Sequence, residues 1–252
     1  MSEAASADLR QLRAAALAGQ REAQLLLAQA WMEGRGLPAD PDEAFHWYSV
    51  AANLGEPMAM NMLGRCHELG QGTRVDMALA AVWYRKAADA GLDWGMYNLA
   101  HLLSSGNGVA RDRPAAYRWY REAAARGHAR AMNFVGRFHE NGWSVERDAA
   151  GAMAWYRRAA QAGDFRGQAN YASMLAERGR LDQAVHWLQR ALAAATPAFA
   201  ARLRQELAAS PHLPLRELAA SCDLSVGCSP GVVPEDWRCE SATLPGAPDE
   251  PA

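Results

Sequence analysis

Histidine followed directly by glutamate occurs twice in the sequence, at His67-Glu68 and His139-Glu140, and offers the first candidate for acid–base chemistry. On a helix, adjacent side chains point about 100° apart and do not converge on one substrate. Both histidines also share a position of a sequence repeat that elsewhere holds a tryptophan and a leucine, which favours a packing role. We therefore predict that the chain has no catalytic residues and is not an enzyme.

The four cysteines could support thiol or metal chemistry. Cys66 aligns in the repeat with apolar residues, and this predicts a buried side chain rather than a nucleophile. Cys222, Cys228 and Cys239 are separated by five and by ten residues, unlike the Cys-x-x-Cys pairs of structural zinc sites. A fourth ligand would have to come from elsewhere, with His212 as one candidate. A disulfide between Cys222 and Cys228 is an open alternative that would require an oxidising compartment. We predict no metal ion and no cofactor.

Charge and hydropathy exclude several classes of partner. The chain has 252 residues, a formal net charge of −2 and a pI near 6.4, so it offers no global basic field for nucleic acid. No apolar run approaches the roughly 20 residues that a membrane-spanning helix needs, and we predict no membrane insertion. The first residues lack the features of a secretory signal. We expect a cytoplasmic protein, and export by a route without a cleaved signal stays open.

Three rows of residues spaced by 36 positions could bind a peptide. Asparagine can donate to and accept from a peptide backbone, arginine binds carboxylates through two hydrogen bonds, and large aromatic residues are common binding hot spots. Simple solvent exposure is the alternative, because arginine is the usual basic residue of this chain, at 25 positions against one for lysine. The candidate partner-binding residues are Met58, Asn61, Arg65, Trp94, Tyr97, His101, Arg130, Asn133, Arg137 and Arg166.

The elements that must position these residues follow from the same repeat. Glycine recurs at positions 19, 55, 91, 127 and 163, which defines a unit of 36 residues. In each of the first four units a helical stripe of apolar residues precedes a glycine-containing loop, and an aspartate then precedes a second stripe, so each unit predicts two capped helices. The second helix carries a Trp-Tyr pair that we expect to form the structural core of the repeats: Trp47, Tyr48, Trp83, Tyr84, Trp119, Tyr120, Trp155 and Tyr156.

A helix pair of this size cannot cover its own apolar face, so the units must stack on one another. The sequence therefore predicts an all-α fold: a curved α/α solenoid of about five 36-residue helix-turn-helix repeats over residues 14–192. A lead-in at residues 1–13 precedes it, and a capping helix at 193–210, with Leu203 and Leu207 on its apolar stripe, follows it.

Residues 211–252 differ in composition from the rest of the chain. They hold seven of the twelve prolines and three of the four cysteines, and their net charge is −5 against +3 for residues 1–210. We predict a largely irregular, acidic tail. Its stretch Pro234–Arg238 combines acidic residues with a tryptophan and could dock in a basic groove of its own chain.

The repeated motif resembles the Sel-one-like (Sel1-like) repeat family, relatives of the tetratricopeptide solenoids. The motif is Ala-x-x-x-Leu-Gly, Gly-x-Gly, an aspartate, Ala-x-x-Trp-Tyr-x-x-Ala-Ala and a closing glycine, and it extends here from Ala59 to Gly91. Two units depart from it: Ser144 replaces the second loop glycine of the fourth, and the fifth is four residues shorter, so that Trp187 follows Trp155 by 32.

The resemblance implies that the solenoid is a right-handed superhelix and that the first helix of each unit lines its concave wall. This implication is the reason for expecting the three rows of candidate binding residues to face a partner. It also implies a non-enzymatic scaffold or adaptor that binds an extended or helical segment of another protein in this groove. A specific inhibitor or immunity-type neutraliser of a cognate protein, or an exported host-interaction factor, is the alternative. The preference for arginine and alanine indicates a bacterial source.

Overall fold

The computed structural model describes residues 3–221, and this part of the chain contains thirteen α-helices and no β-strand. Consecutive helices pack against each other along the chain, which confirms the all-α solenoid predicted from the repeat. The helices are α1 (Glu3–Leu17), α2 (Arg21–Glu33), α3 (Pro41–Asn53), α4 (Pro57–Leu69), α5 (Met77–Asp89), α6 (Asp93–Ser105), α7 (Arg113–Ala125), α8 (Ala129–Asn141), α9 (Ala149–Gln161), α10 (Phe165–Glu177), α11 (Leu181–Ala194), α12 (Pro197–Ala208) and α13 (Leu213–Ala220).

Each repeat unit consists of a first helix (α2, α4, α6, α8 or α10) and a second helix (α3, α5, α7, α9 or α11). Four of the second helices begin at the predicted aspartate caps, whose carboxylates accept hydrogen bonds from backbone N–H groups of the first turn. At Asp76, for example, the carboxylate accepts from Leu79 N at 2.9 Å, while the Asp76 N–H donates to the His67 carbonyl at 2.8 Å. The aspartate therefore fixes the second helix against the end of the first.

Backbone geometry explains the second glycine of the loop. At Gly72 the φ angle is 67°, and a Cβ added there would lie 2.1 Å from the Pro41 carbonyl oxygen of the preceding unit. Ser144 takes the equivalent place in the fourth unit and keeps the left-handed conformation, with a φ of 59°. The loop conformation is thus preserved where the glycine is lost.

The tyrosine of each Trp-Tyr pair is the fully buried member. Tyr48, Tyr84, Tyr120 and Tyr156 are 0% exposed, whereas the four tryptophans are half-buried and pack at the edge of the core. Cations cover some of the exposed ring faces: Lys86 Nζ lies 3.9 Å from the ring centroid of Trp83, and the guanidinium of Arg158 lies 4.4 Å from that of Trp155. The tyrosines therefore contribute the bulk that fills the repeat core.

Small residues of the first helices allow close packing against the preceding second helix. A Cβ added at Gly95 would lie 2.6 Å from the Cβ of Ala87, and one added at Gly167 would lie 2.5 Å from that of Ala159. Both distances are shorter than real side chains tolerate, so glycine permits the closer packing at these two positions, where the equivalent residues Ala59 and Ala131 of other units carry a Cβ.

The first helices form one wall of the solenoid. Side-chain contacts join α4 to α6, α6 to α8 and α8 to α10. Within residues 3–221, the first and the last of these pairs make more extensive contacts than any two second helices do. Helices on the inside of a curved stack lie closer together than those on the outside. We call the surface of the first helices the inner face.

Helices extend beyond the repeats at both ends of the described residues. Helix α1 begins at Glu3, so helical structure covers most of the proposed lead-in. Helix α13 (Leu213–Ala220) forms where an irregular tail was expected, because Leu215 and Leu218 are buried against the preceding helices. The predicted capping stripe is confirmed, since Leu203 and Leu207 are 6% and 7% exposed. Cys222, Cys228, Cys239 and the Pro234–Arg238 stretch lie outside the described residues.

Candidate functional site

Three cavities follow the inner face along the solenoid. The N-terminal cavity, of about 490 Å³, lies between α4, α6 and the start of α8. The middle cavity, of about 200 Å³, lies between α6 and α8. The C-terminal cavity, of about 870 Å³, lies between α8, α10 and the terminal helices α12 and α13. All ten candidate residues except Tyr97 line at least one of these cavities.

Apolar side chains and arginines share the N-terminal cavity. Met58, Met62 and Leu69 line it together with Trp94, which is 40% exposed. Arg65 and Arg130 extend along its wall, and the Arg130 guanidinium lies 5.7 Å from the ring centroid of Trp94. The cavity can therefore accept an apolar side chain and a carboxylate from one ligand.

The two candidate asparagines differ from the prediction, because they are buried and paired. Asn61 and Asn133 are 3% and 2% exposed. The amide nitrogen of Asn98 donates to Asn61 Oδ1 at 2.8 Å, and that of Asn170 donates to Asn133 Oδ1 at 2.8 Å. These bonds tie α4 to α6 and α8 to α10. The asparagines hold neighbouring units together and are not free to bridge a peptide backbone.

An aromatic cluster occupies the equivalent place between α6 and α8. Tyr97 stacks on His128 with ring centroids 4.7 Å apart, and it contacts Phe134 at 5.9 Å. The ring of His101 lies 6.0 Å from that of Phe134 and remains exposed. Tyr97 is half-buried and its packing raises the pKa of its hydroxyl, because burial disfavours the phenolate. We expect Tyr97 to support the surface and Trp94 to provide the accessible ring.

The middle and C-terminal cavities are lined by further arginines. Arg137 lies between them and stacks over two rings, 5.4 Å from the centroid of Phe134 and 5.6 Å from that of Trp143. In the C-terminal cavity, Arg166 stacks over Phe199 at 5.5 Å, beside the apolar side chains of α12 and α13. These ring contacts restrict the guanidinium groups, and their N–H groups remain able to bind an anion.

Sequence reasoning missed several residues of this face. Asn98, Phe134 and Asn170 complete the contacts between first helices, and Trp143 and Arg113 complete the middle cavity. The signal was present in the sequence, since Asn98 follows Asn61 by 37 residues and Asn170 follows Asn133 by the same interval. Two residues that lie 37 positions apart, one more than the repeat length, therefore contact each other across neighbouring units.

The histidine and glutamate pairs have structural partners. Tyr84 donates a hydrogen bond to Glu68, and Tyr156 donates to Glu140 at 2.7 Å. His67 is 7% exposed and packs edge-on against Phe45 at 5.5 Å, which confirms the predicted packing role. The side chains of each pair therefore bind different neighbours.

His139 Nε2 forms a hydrogen bond with the Tyr117 hydroxyl at 3.0 Å, so this histidine packs against the second helix of the preceding unit. Cys66 is 1% exposed, as expected, and burial raises the pKa of its thiol to about 11. Among residues 3–221, no group of three potential ligands could hold a metal ion. No helix in the same range is long and apolar enough to cross a bilayer.

A family model for the Sel1 repeat matches the chain five times, at residues 21–56, 57–92, 95–128, 129–164 and 167–195. These matches cover most of α2 to α11, and their spacing reproduces the repeat described above. No curated protein matches the chain significantly.

Solved structures of bacterial proteins share the fold. A protective antigen of uropathogenic Escherichia coli strains, which displays an SLR fold, is 31% identical with a TM-score of 0.69. That match covers 83% of this chain but only 47% of the antigen, so the chain spans about half of its length. A Sel1 repeat protein from Oxalobacter formigenes is 27% identical with a TM-score of 0.69, over 81% of this chain and 88% of that one.

An immunity protein from Pseudomonas aeruginosa is 18% identical to the chain, with a TM-score of 0.54, over 79% of this chain and 75% of that one. At this identity the likeness concerns the fold alone.

Proposed function

The chain belongs to the Sel1 repeat family, whose members generally serve as scaffolds for protein interactions, and we propose that it binds a segment of another protein along its inner face without catalysing a reaction. The observation that carries this proposal is the row of three cavities on the first helices, with an exposed tryptophan and stacked arginines between them. An extended or helical segment can use several shallow contacts of this kind at once.

Contacts between units support the choice of the inner face. Asn61 and Asn133 are 3% and 2% exposed, and each accepts a hydrogen bond from the first helix of the next unit, so these contacts hold the inner face in one conformation before a partner binds. A preorganised surface loses less conformational entropy on binding.

An immunity-type neutraliser is a narrower version of this function. The Pseudomonas aeruginosa neighbour bears that name, but it resembles this chain in fold alone. No residue of the described part favours a toxin over another protein partner. We therefore propose the general scaffold function.

Steric blocking of the inner face tests the proposal without altering an arginine there. Leu69→Trp and Ser173→Trp place bulky rings in the N-terminal and C-terminal cavities, since both residues are exposed and line those cavities. Arg85→Trp and Arg118→Trp are matched controls at exposed positions of second helices. Proteins captured from the native cell extract should be lost with the inner pair and retained with the control pair.

The opposite pattern would contradict the proposal. If the captured proteins persist with both inner substitutions and disappear with the outer ones, the interaction surface lies on the second helices.

A further inference from the structure

Arginines outnumber acidic residues among the side chains that line the three cavities. Residues 1–221 contain 25 basic and 22 acidic residues. The side chains that line the three cavities include six arginines but only three glutamates. The arginines are Arg65, Arg113, Arg130, Arg137, Arg166 and Arg202, and the glutamates are Glu68, Glu177 and Glu206. Arg113 belongs to α7 and Arg202 to α12, and the other four arginines lie on first helices. The first helices as a whole carry five arginines and six acidic residues, so the positive charge is local to the cavities.

Most of these arginines form no ion pair in the described part, although Arg130 and Arg166 lie near enough to Asp164 to favour its charged form. The ion pairs within residues 3–221 join Arg35 to Glu33, Arg126 to Glu122 and Arg202 to Glu206. Of the six inner arginines, therefore, only Arg202 is paired with a carboxylate in the described part. The carboxylate of Glu68 is occupied as well, because it accepts a hydrogen bond from Tyr84.

Aromatic rings hold the unpaired arginines in position. The guanidinium groups of Arg130, Arg137 and Arg166 lie 5.7 Å, 5.4 Å and 4.5 Å from the ring centroids of Trp94, Phe134 and Phe165. A stacked guanidinium keeps its N–H edge available, and that edge matches the two oxygens of a carboxylate. The face therefore offers several separate carboxylate-binding positions.

Apolar surface alternates with these positions. Leu69 is 53% exposed at the N-terminal cavity, beside Met62 and Trp94. The C-terminal cavity is lined by Phe199 and by leucines of α12 and α13. A polyanion without apolar groups would leave this surface uncovered, and an excess of three charges releases few counterions from a nucleic acid. A polypeptide that carries both acidic and large apolar side chains can bind the arginines and also cover the apolar surface.

On this basis we propose that the inner face selects an acidic segment of a partner protein, with Asp or Glu side chains bound to Arg130, Arg137 and Arg166 and large apolar side chains seated in the cavities at either end. This inference rests on the proposed scaffold function and specifies the chemistry of its partner. Charge complementarity makes the face selective for acidic segments, while the apolar side chains of the segment contribute binding free energy.

A displayed library of random peptides, selected against the full-length chain, tests the proposal. The enriched peptides should be rich in Asp and Glu and should carry Leu, Ile, Met, Phe or Trp. For one synthetic peptide from this pool, Arg130→Ala, Arg137→Ala and Arg166→Ala together should weaken binding at least about tenfold, since three charge-assisted contacts are removed.

A control variant removes the same number of charges elsewhere. Arg85→Ala, Arg118→Ala and Arg121→Ala alter exposed arginines of second helices, and Arg121 also stacks on a ring, at 5.9 Å from that of Tyr117. This variant should change the affinity by less than about twofold. The circular dichroism melting curves of both triple variants should match the wild type, which shows that the inner variant remains folded.

Three outcomes would overturn the proposal. Enrichment of neutral or basic peptides that Ser173→Trp or Leu69→Trp blocks would refute the acidic preference and leave the scaffold function standing. Failure to enrich any peptide that these substitutions block would refute both. Binding of acidic peptides only after Asp223, Glu235, Asp236, Glu240, Asp249 and Glu250 are neutralised would assign the face to the acidic C-terminal segment of the same chain.

Discussion

At the scale of single residues, the hydroxyl of the repeat tyrosine has different environments in different units. Tyr84 and Tyr156 donate to Glu68 and Glu140, whereas the hydroxyl of Tyr120 is buried without a hydrogen-bond partner in the described part. The repeat places Ser104 where the other two units have glutamate. Burial raises the pKa of all three hydroxyls.

This difference predicts opposite effects of one substitution. Tyr156→Phe should lower the free energy of unfolding by about 1 to 2 kcal/mol, because a hydrogen bond to a charged group is lost. Tyr120→Phe should leave it unchanged or raise it, because it removes a buried polar atom that has no partner. Urea unfolding of the two variants measures the difference, and equal losses would contradict the assignment.

Histidines give the stability a pH dependence. Burial lowers the pKa of His67, His128 and His139 below the ordinary value of 6.5. The folded chain then binds these protons less tightly than the unfolded chain, so protonation favours unfolding. The contribution of these neutral histidines to the free energy of unfolding is fully present above about pH 6.5 and decreases as the pH falls below that value.

His128 should account for much of this loss. Its Nδ1 accepts a hydrogen bond from the Ala131 N–H at 3.1 Å and caps α8, and a protonated imidazole cannot accept. His128→Asn should reduce the fall in melting temperature between about pH 7 and pH 5, since asparagine caps a helix at either pH. His46→Asn, at an exposed histidine, is the control and should leave the fall unchanged. A steeper fall in His128→Asn would contradict this account.

At the scale of elements, pairs of residues across neighbouring first helices fix the stacking of the units. The pair alternates along the solenoid between amides, Asn61–Asn98, and aromatic rings, Tyr97–Phe134, before returning to amides at Asn133–Asn170. The equivalent pair in the first two units is Leu25 and Met62, which is apolar. This pair of positions therefore accepts two amides, two aromatic rings or two apolar side chains, provided that both residues are of the same chemical type.

A double-mutant cycle tests this matching. Asn61→Leu alone should destabilise the chain by about 1 to 2 kcal/mol, because the amide of Asn98 loses its partner. Asn61→Leu with Asn98→Met reproduces the first pair of the solenoid and should recover most of that loss. The coupling free energy from urea unfolding provides the measurement, and additive losses would show that the two side chains act independently.

The sequence predicts the repeating elements well and the interactions between them less well. The aspartate caps, the loop glycines and the two helices of each unit follow from local patterns that recur in one register. Helix α13 and most of α1 lie outside that register, so no repeated signal marks them. The burial of Asn61 was missed because it depends on Asn98, a contact between two units that a single row of the repeat does not contain.

At the scale of the whole molecule, the core is divided along the chain. Buried side chains form separate clusters, one near α1 and α2 and another that extends from α9 to α13. In a solenoid each unit contacts only its neighbours, so the effects of a substitution remain local. The terminal helices α12 and α13 cover the end of the last cluster.

A substitution in α12 should destabilise only the C-terminal end of the solenoid. Leu203 is 6% exposed, and Leu203→Ala should destabilise its surroundings by about 2 to 5 kcal/mol through the cavity it leaves. Hydrogen–deuterium exchange should become faster in α10 to α13 and remain unchanged in α2 to α5. Uniformly faster exchange would indicate that the chain unfolds as one cooperative unit instead.

The central claim, that the inner face is the protein-binding surface, is tested most directly by site-specific photo-crosslinking. A photoreactive residue at position 101 or 173 lies on the inner face, and one at position 85 or 118 lies on second helices; all four positions are exposed. In cells that naturally contain the protein, we predict discrete crosslinked adducts from positions 101 and 173 and none from positions 85 and 118. Adducts formed only from positions 85 and 118 would contradict the account.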